Sequence, residues 1–278
     1  MRQMIEFICG DDALHATFDA KMDGADGQTG LLIVSGGNEI RCGAYAGQAA
    51  MAAHFAALGY PVFRYDRRGI GDSEGNNGGF ETSADDIAAA VAAFRDTAPY
   101  VTRIVAFGNC DAASALALFH DDLGLGALVL ANPWVIEAAA SAGDAPTQPN
   151  AAAIRSRYWA RIKNPRSLID LLTGKINLKK LLGGLASASR SDVVTGLAKQ
   201  IADALARAPM PLHLLIARRD TTAMTFMSAW HDAAFKAVRE RANVRMEICD
   251  TASHSFADSE AKAWLLDQIG QALEHGGS

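Results

Sequence analysis

Short runs of consecutive apolar residues recur along the chain at 30–35 (Gly-Leu-Leu-Ile-Val-Ser), 61–65, 103–107 and 126–131. Unbroken runs of this length, bounded by turn residues, read as strands buried on both faces. Residues 3–9 and 13–20 alternate instead, as expected of an antiparallel pair at one sheet edge. Ala-rich helical stretches fall between the runs at about 44–58, 83–95 and 111–121, and strands near 211–217 and 244–248 precede a final helix over about 258–274. Strand and helix alternate, so the expected fold is α/β: a mostly parallel eight-stranded sheet with helices on both faces. Ligands in such sheets gather beyond the carboxyl ends of the strands. The loops after residues 35, 66, 107, 217 and 249 should then converge on one crevice.

The alternation breaks between Asn132-Pro-Trp134 and the strand at Leu212. This gap reads as an inserted helical cap over 137–208, dividing a core made of 1–136 and 209–278. Residues 155–190 hold nine cations, Arg155, Arg157, Arg161, Lys163, Arg166, Lys175, Lys179, Lys180 and Arg190, against Asp170 alone. Three readings stay open for this stretch: a solvated helix face, attraction of an anionic substrate, or contact with an acidic membrane surface. The apolar residues in Ile176-Asn-Leu-Lys-Lys-Leu-Leu182 favour the membrane reading among the functional ones, and Gly183-Gly184 offers a hinge.

A chain of 278 residues, 50% hydrophobic, can bury a large core in one domain with an insertion. Its net charge of -5 argues against nucleic acid as a partner of the whole surface. The first ten residues carry no secretory pattern, and no apolar segment reaches the length of a membrane span, so a soluble cytoplasmic protein is expected. Cys9, Cys42, Cys110 and Cys249 form no Cys-x-x-Cys pair and no His pair completes a zinc site. Neither a metal centre nor a cofactor is expected. Cys9 and Cys249 read as small buried hydrophobes.

Cys110 differs by position. The run 103–107 leads directly into Gly108-Asn-Cys-Asp-Ala112, a small-residue turn before a helix, with sulfur where a nucleophile elbow usually carries a hydroxyl. A nucleophile needs a base, and the base needs a group to hold it. Asp220 follows the strand at 211–217, and His254 follows the strand at 244–248. The order Cys110, Asp220, His254 is the nucleophile, acid, base order of the α/β-hydrolase fold. Asp250 is the alternative acid, but it shares a loop with His254. Ser114 lies one helical turn beyond the elbow, a poor place for a nucleophile. The backbone N–H of Asp111 and the amide of Gly37, in Ser35-Gly-Gly-Asn-Glu39, are the expected oxyanion donors. The Asp111 carboxylate either sits close enough to the sulfur to disfavour the thiolate or points away as a first-turn helix acid. Glu39 and Ser35 are candidate supporting groups around the pair.

Asp66-Arg-Arg-Gly-Ile-Gly-Asp-Ser73 resembles a loop frequent in α/β-hydrolases, and reads as structural: Gly69 and Gly71 for tight turns, Arg67 or Arg68 tying it down. Gly108-Asn-Cys-Asp-Ala-Ala-Ser114, with Ser-Gly-Gly at 35–37, Phe80-Glu81, Asn132-Pro-Trp134 and Lys175-Ile-Asn-Leu178, is similar to the type 1 hydrolases associated with the exosortase A system. The resemblance covers most of the chain and implies a bacterial cytoplasmic hydrolase linked to exopolysaccharide production and protein sorting. It places Cys110, Asp220 and His254 on the triad positions. The cysteine nucleophile also resembles that of dienelactone hydrolase, but the cap and the Ser-Gly-Gly loop differ, so a dienelactone substrate is not implied.

The expected activity is hydrolysis of carboxylic esters or thioesters through an acyl-Cys110 intermediate, acting on a small-molecule acyl substrate. Two alternatives remain: an acyltransferase using the same three residues, and a non-catalytic α/β-hydrolase-like protein that binds an anionic ligand.

Overall fold

The computed structural model describes residues 1–21, 27–137 and 195–274. Eight strands, β1 (Arg2–Cys9), β2 (Asp12–Asp19), β3 (Thr29–Val34), β4 (Val62–Tyr65), β5 (Arg103–Asn109), β6 (Ala127–Ala131), β7 (Leu212–Ala217) and β8 (Val244–Cys249), form one sheet. Their spatial order is β1-β2-β4-β3-β5-β6-β7-β8. β2 pairs antiparallel with β1 and β4, and every other pairing is parallel. This is the α/β-hydrolase fold, with the edge hairpin and the run of parallel strands anticipated from the pattern.

Period-two alternation in the central strands supplies two cores. Leu32, Val34, Phe63, Ala106, Leu128 and Leu130 face one side, where α2 (Ala84–Thr97), α3 (Asp111–Phe119), α4 (Gly196–Arg207) and α5 (Thr221–Trp230) pack. Leu31, Ile33, Val62, Val105, Phe107 and Val129 face the other, under α1 (Gly47–Ala57) and α6 (Ser259–Glu274). Each of the larger side chains contributes about 1.5–3 kcal/mol by leaving water. The expected helix at 44–58 starts later, at Gly47, because Tyr45 and Ala46 adopt φ of 52° and 56° and cannot continue an α-helical turn. α5 was not anticipated, since Thr-Thr-Ala-Met-Thr-Phe-Met-Ser-Ala-Trp offers little polar contrast between its faces.

Most of the expected cap, including the basic stretch 155–190 and its Gly183-Gly184 hinge, lies outside the described residues. Its final part is described: α4 buries Leu197, Ile201 and Leu205, spaced by four, in the same core as α3. Thr195 caps α4 by accepting from the Ala198 amide at 3.0 Å, and its own hydroxyl donates to the Val135 carbonyl at 2.8 Å. The Leu197 amide donates to Glu137 Oε1 at 2.9 Å. The chain therefore comes back to the place it left. Among the described residues, no helix is long and apolar enough to cross a membrane.

Candidate active site

β5 ends at Asn109 and α3 begins at Asp111, leaving Cys110 alone to reverse the chain. It does so at φ 62° and ψ -125°, a conformation that costs a non-glycine residue about 1–3 kcal/mol. Surrounding bonds hold it there. The Cys110 amide donates to the Ala131 carbonyl at 2.9 Å, and its carbonyl accepts from the amides of Ser114 (3.3 Å) and Trp134 (3.2 Å). Gly108 lets strand and helix meet, because a Cβ there would lie 2.7 Å from the Ala112 carbonyl carbon. Ser114 is buried and its hydroxyl donates to the Trp134 carbonyl at 2.6 Å, so it is occupied structurally.

Asp220 sits just past β7 and is the N-cap of α5, accepting from the Ala223 amide at 3.0 Å through Oδ2. The same oxygen is 3.0 Å from His254 Nδ1. Cys110 lies close enough to the same ring to act on its protonation. The bond to Asp220 and then the proximity of Cys110 push the His254 pKa up to about 10, against the opposing effect of burial. Burial pushes Asp220 up, but its bonds from His254 and the Ala223 amide outweigh that and hold it below the usual carboxylate range. Asp250 lies elsewhere, exposed and 3.3 Å from Arg219.

The expected oxyanion donor Gly37 already has a partner. The Gly37 amide, assigned from sequence to a substrate oxyanion, donates to Asp111 Oδ1 at 2.7 Å. Buried Arg67 grips the same loop by donating to the Gly37 carbonyl, and its Nη2 lies 4.0 Å from Asp111 Oδ2. Gly36 allows this docking: a Cβ at that position would come within 2.5 Å of Asp111 Oδ1 and 2.8 Å of the Asn109 carbonyl. Asp111 thus turns toward the 35–39 loop. Ser35 is buried and donates to Gln48 Oε1 at 2.8 Å, so it braces the loop against α1. Partial desolvation raises the pKa of the exposed Glu39 carboxyl despite the Ala44 amide it accepts from, and it feels the charges of His254 and Asp111.

Sequence reasoning missed two asparagines. Asn132, fully buried at φ 43°, donates through Nδ2 to the His254 carbonyl (3.1 Å) and to Asn109 Oδ1 (3.2 Å). Its Oδ1 accepts from the Ala217 amide at 2.8 Å, and Asn109 Nδ2 also reaches the His254 carbonyl at 3.2 Å. Three strand ends are therefore tied to the loop carrying the imidazole. The signal was Asn132 directly after an apolar run, before Pro133. Of the other cysteines, Cys9 is buried and its thiol is pushed up to about 11, first by that burial, whereas Cys249 is only half-buried.

A family model described as serine aminopeptidase, S33 matches residues 27–262. No curated protein matches the chain. Among solved structures it is similar to an esterase from Pyrococcus furiosus, 17% identical with a TM-score of 0.65, over 100% of this chain and 92% of that one. A proline iminopeptidase from Mycobacterium smegmatis aligns at 16% identity and a TM-score of 0.57, over 98% and 99% of the two chains. A thioesterase domain from the curacin biosynthetic pathway aligns at 13% and 0.57, again over 98% and 99%.

Proposed function

Because the chain belongs to the serine aminopeptidase S33 family of α/β-hydrolases, we propose that it hydrolyses carboxylic esters or thioesters through an acyl group carried on Cys110. The observation that carries this reading is Cys110 at φ 62° on the turn between β5 and α3, with the His254 ring held by Asp220 at 3.0 Å and coupled electrostatically to that cysteine. The family description names a serine; sulfur stands at that turn here.

In the proposed cycle the Cys110 proton already rests on His254, whose raised pKa keeps the ring protonated, and the sulfur attacks the substrate carbonyl as thiolate. The carbonyl oxygen gains the negative charge and is met by the Asp111 backbone N–H at the start of α3, and by the Gly37 amide once the Asp111 carboxylate gives way. His254 then protonates the departing alkoxide or thiolate, leaving a thioester on Cys110. Water attacks that thioester with His254 as base, releasing the acid and restoring the thiolate. Asp220 keeps the ring oriented and favours its protonated form throughout. Sulfur is itself a good leaving group, so the tetrahedral adduct expels an amine less readily than an alcohol or thiol; esters and thioesters rank above amides.

The resemblance to exosortase A-associated hydrolases suggests a substrate from that sorting or exopolysaccharide machinery. The proposed cap over 137–208 would then select it. Incubation with a panel of acyl esters and acyl thioesters, followed by intact-mass measurement, should show one acyl mass added at Cys110, lost in Cys110→Ala. Iodoacetamide near pH 7 should label Cys110 faster than free cysteine. Ester turnover that survives in Cys110→Ala would sink the proposal.

A further inference from the structure

A cavity of about 120 Å³ opens between α1 and α6, on the side of the sheet away from α3. Its buried lining is apolar, from Met51, Phe107, Phe256 and Leu265, while Glu39 and Lys262 are exposed where it meets solvent. The chain order ties it to the candidate site twice. Asn109 lines it and immediately precedes Cys110, and Ser255 and Phe256 line it immediately after His254. Asn109 also bonds the His254 carbonyl, so this wall of the cavity and the imidazole loop are one connected piece.

We propose that this cavity is a binding site for a short apolar acyl group, of about four to six carbon atoms, and so sets chain-length selectivity at Cys110. The size follows from volume: a dry apolar cavity of about 150 Å³ holds a benzene molecule, and this one is slightly smaller. The acyl part is the natural occupant because it alone stays attached to sulfur after the first step, beside the residues that line the cavity. A long fatty chain would overrun the space. The inference rests on the acyl-Cys110 reading for its substrate, while the cavity itself can be probed without hydrolysis.

The probe is a series of n-alkyl methanethiosulfonates, from methyl to decyl, reacting with the full chain. The thiolate attacks the sulfenyl sulfur, a disulfide forms and methanesulfinate leaves, so only a thiol is needed. Rates of mass gain at Cys110, divided by those of free cysteine and corrected with Cys110→Ala for the other thiols, should rise about fourfold per methylene. The rise should stop at about four to six carbons. Leu265→Phe should move the break to shorter chains, and Met51→Ala to longer ones, with circular dichroism confirming the fold of each. Rates that ignore chain length, that climb steadily to decyl, or that break at the same length in both folded variants overturn the proposal. If acyl thioesters leave Cys110 unmodified while the alkyl break persists, the hydrolase reading fails and the site stands.

Discussion

At the scale of single residues, His254 concentrates the electrostatics of the site. Its pKa, raised from 6.5 to about 10, links protonation to folding. The folded chain holds this proton more tightly than the unfolded one, so the contribution is fully present below about pH 6.5 and fades as pH rises through about 10. The melting temperature should therefore fall between pH 7 and 10, with a smaller fall in His254→Gln; equal slopes would place the loss elsewhere. The ring is two-fifths exposed, so the effect is screened and modest. Asp111 shows the opposite kind of effect. Its carboxylate already accepts from the Gly37 amide, so if that amide serves the proposed oxyanion, an oxyanion analogue should bind more tightly to Asp111→Ala than to the native chain.

At the scale of elements, the Asn132 network decides how well the imidazole loop is held. Asn132→Ala strips a buried hub of its bonds to the His254 carbonyl, Asn109 and the Ala217 amide, and places alanine at φ 43°. A loss of about 2–4 kcal/mol is expected in urea denaturation, with slower Cys110 labelling. A change below about 0.5 kcal/mol would mean that the strand ends hold the loop without it. The strands themselves were legible because burial on both faces writes an unbroken apolar run, and the elbow because close approach demands small residues. Cys110, Asp220 and His254 were legible as residues at strand ends, and the structure brings them together. The partner of the Gly37 amide was not legible, since 74 residues separate donor and acceptor and nothing local marks the pairing. The asparagine clamp was hidden likewise, because polar satisfaction inside a core depends on which strand ends become neighbours.

At the scale of the whole molecule, the described core closes on both sides of residues 138–194. Val135 and Glu137 are bonded to Thr195 and Leu197, so a few flexible residues can bridge the gap. Replacing 138–194 by a short Gly-Ser linker should leave a cooperative thermal transition and a Cys110 that still reacts with iodoacetamide. Loss of the transition would show that the core depends on the excised stretch. The stitched junction also makes this position a socket. On the proposed reading of Cys110, an insert of different length or charge at 138–194 should change which molecules reach the sulfur, provided the Trp134 amide keeps its bond to the Cys110 carbonyl.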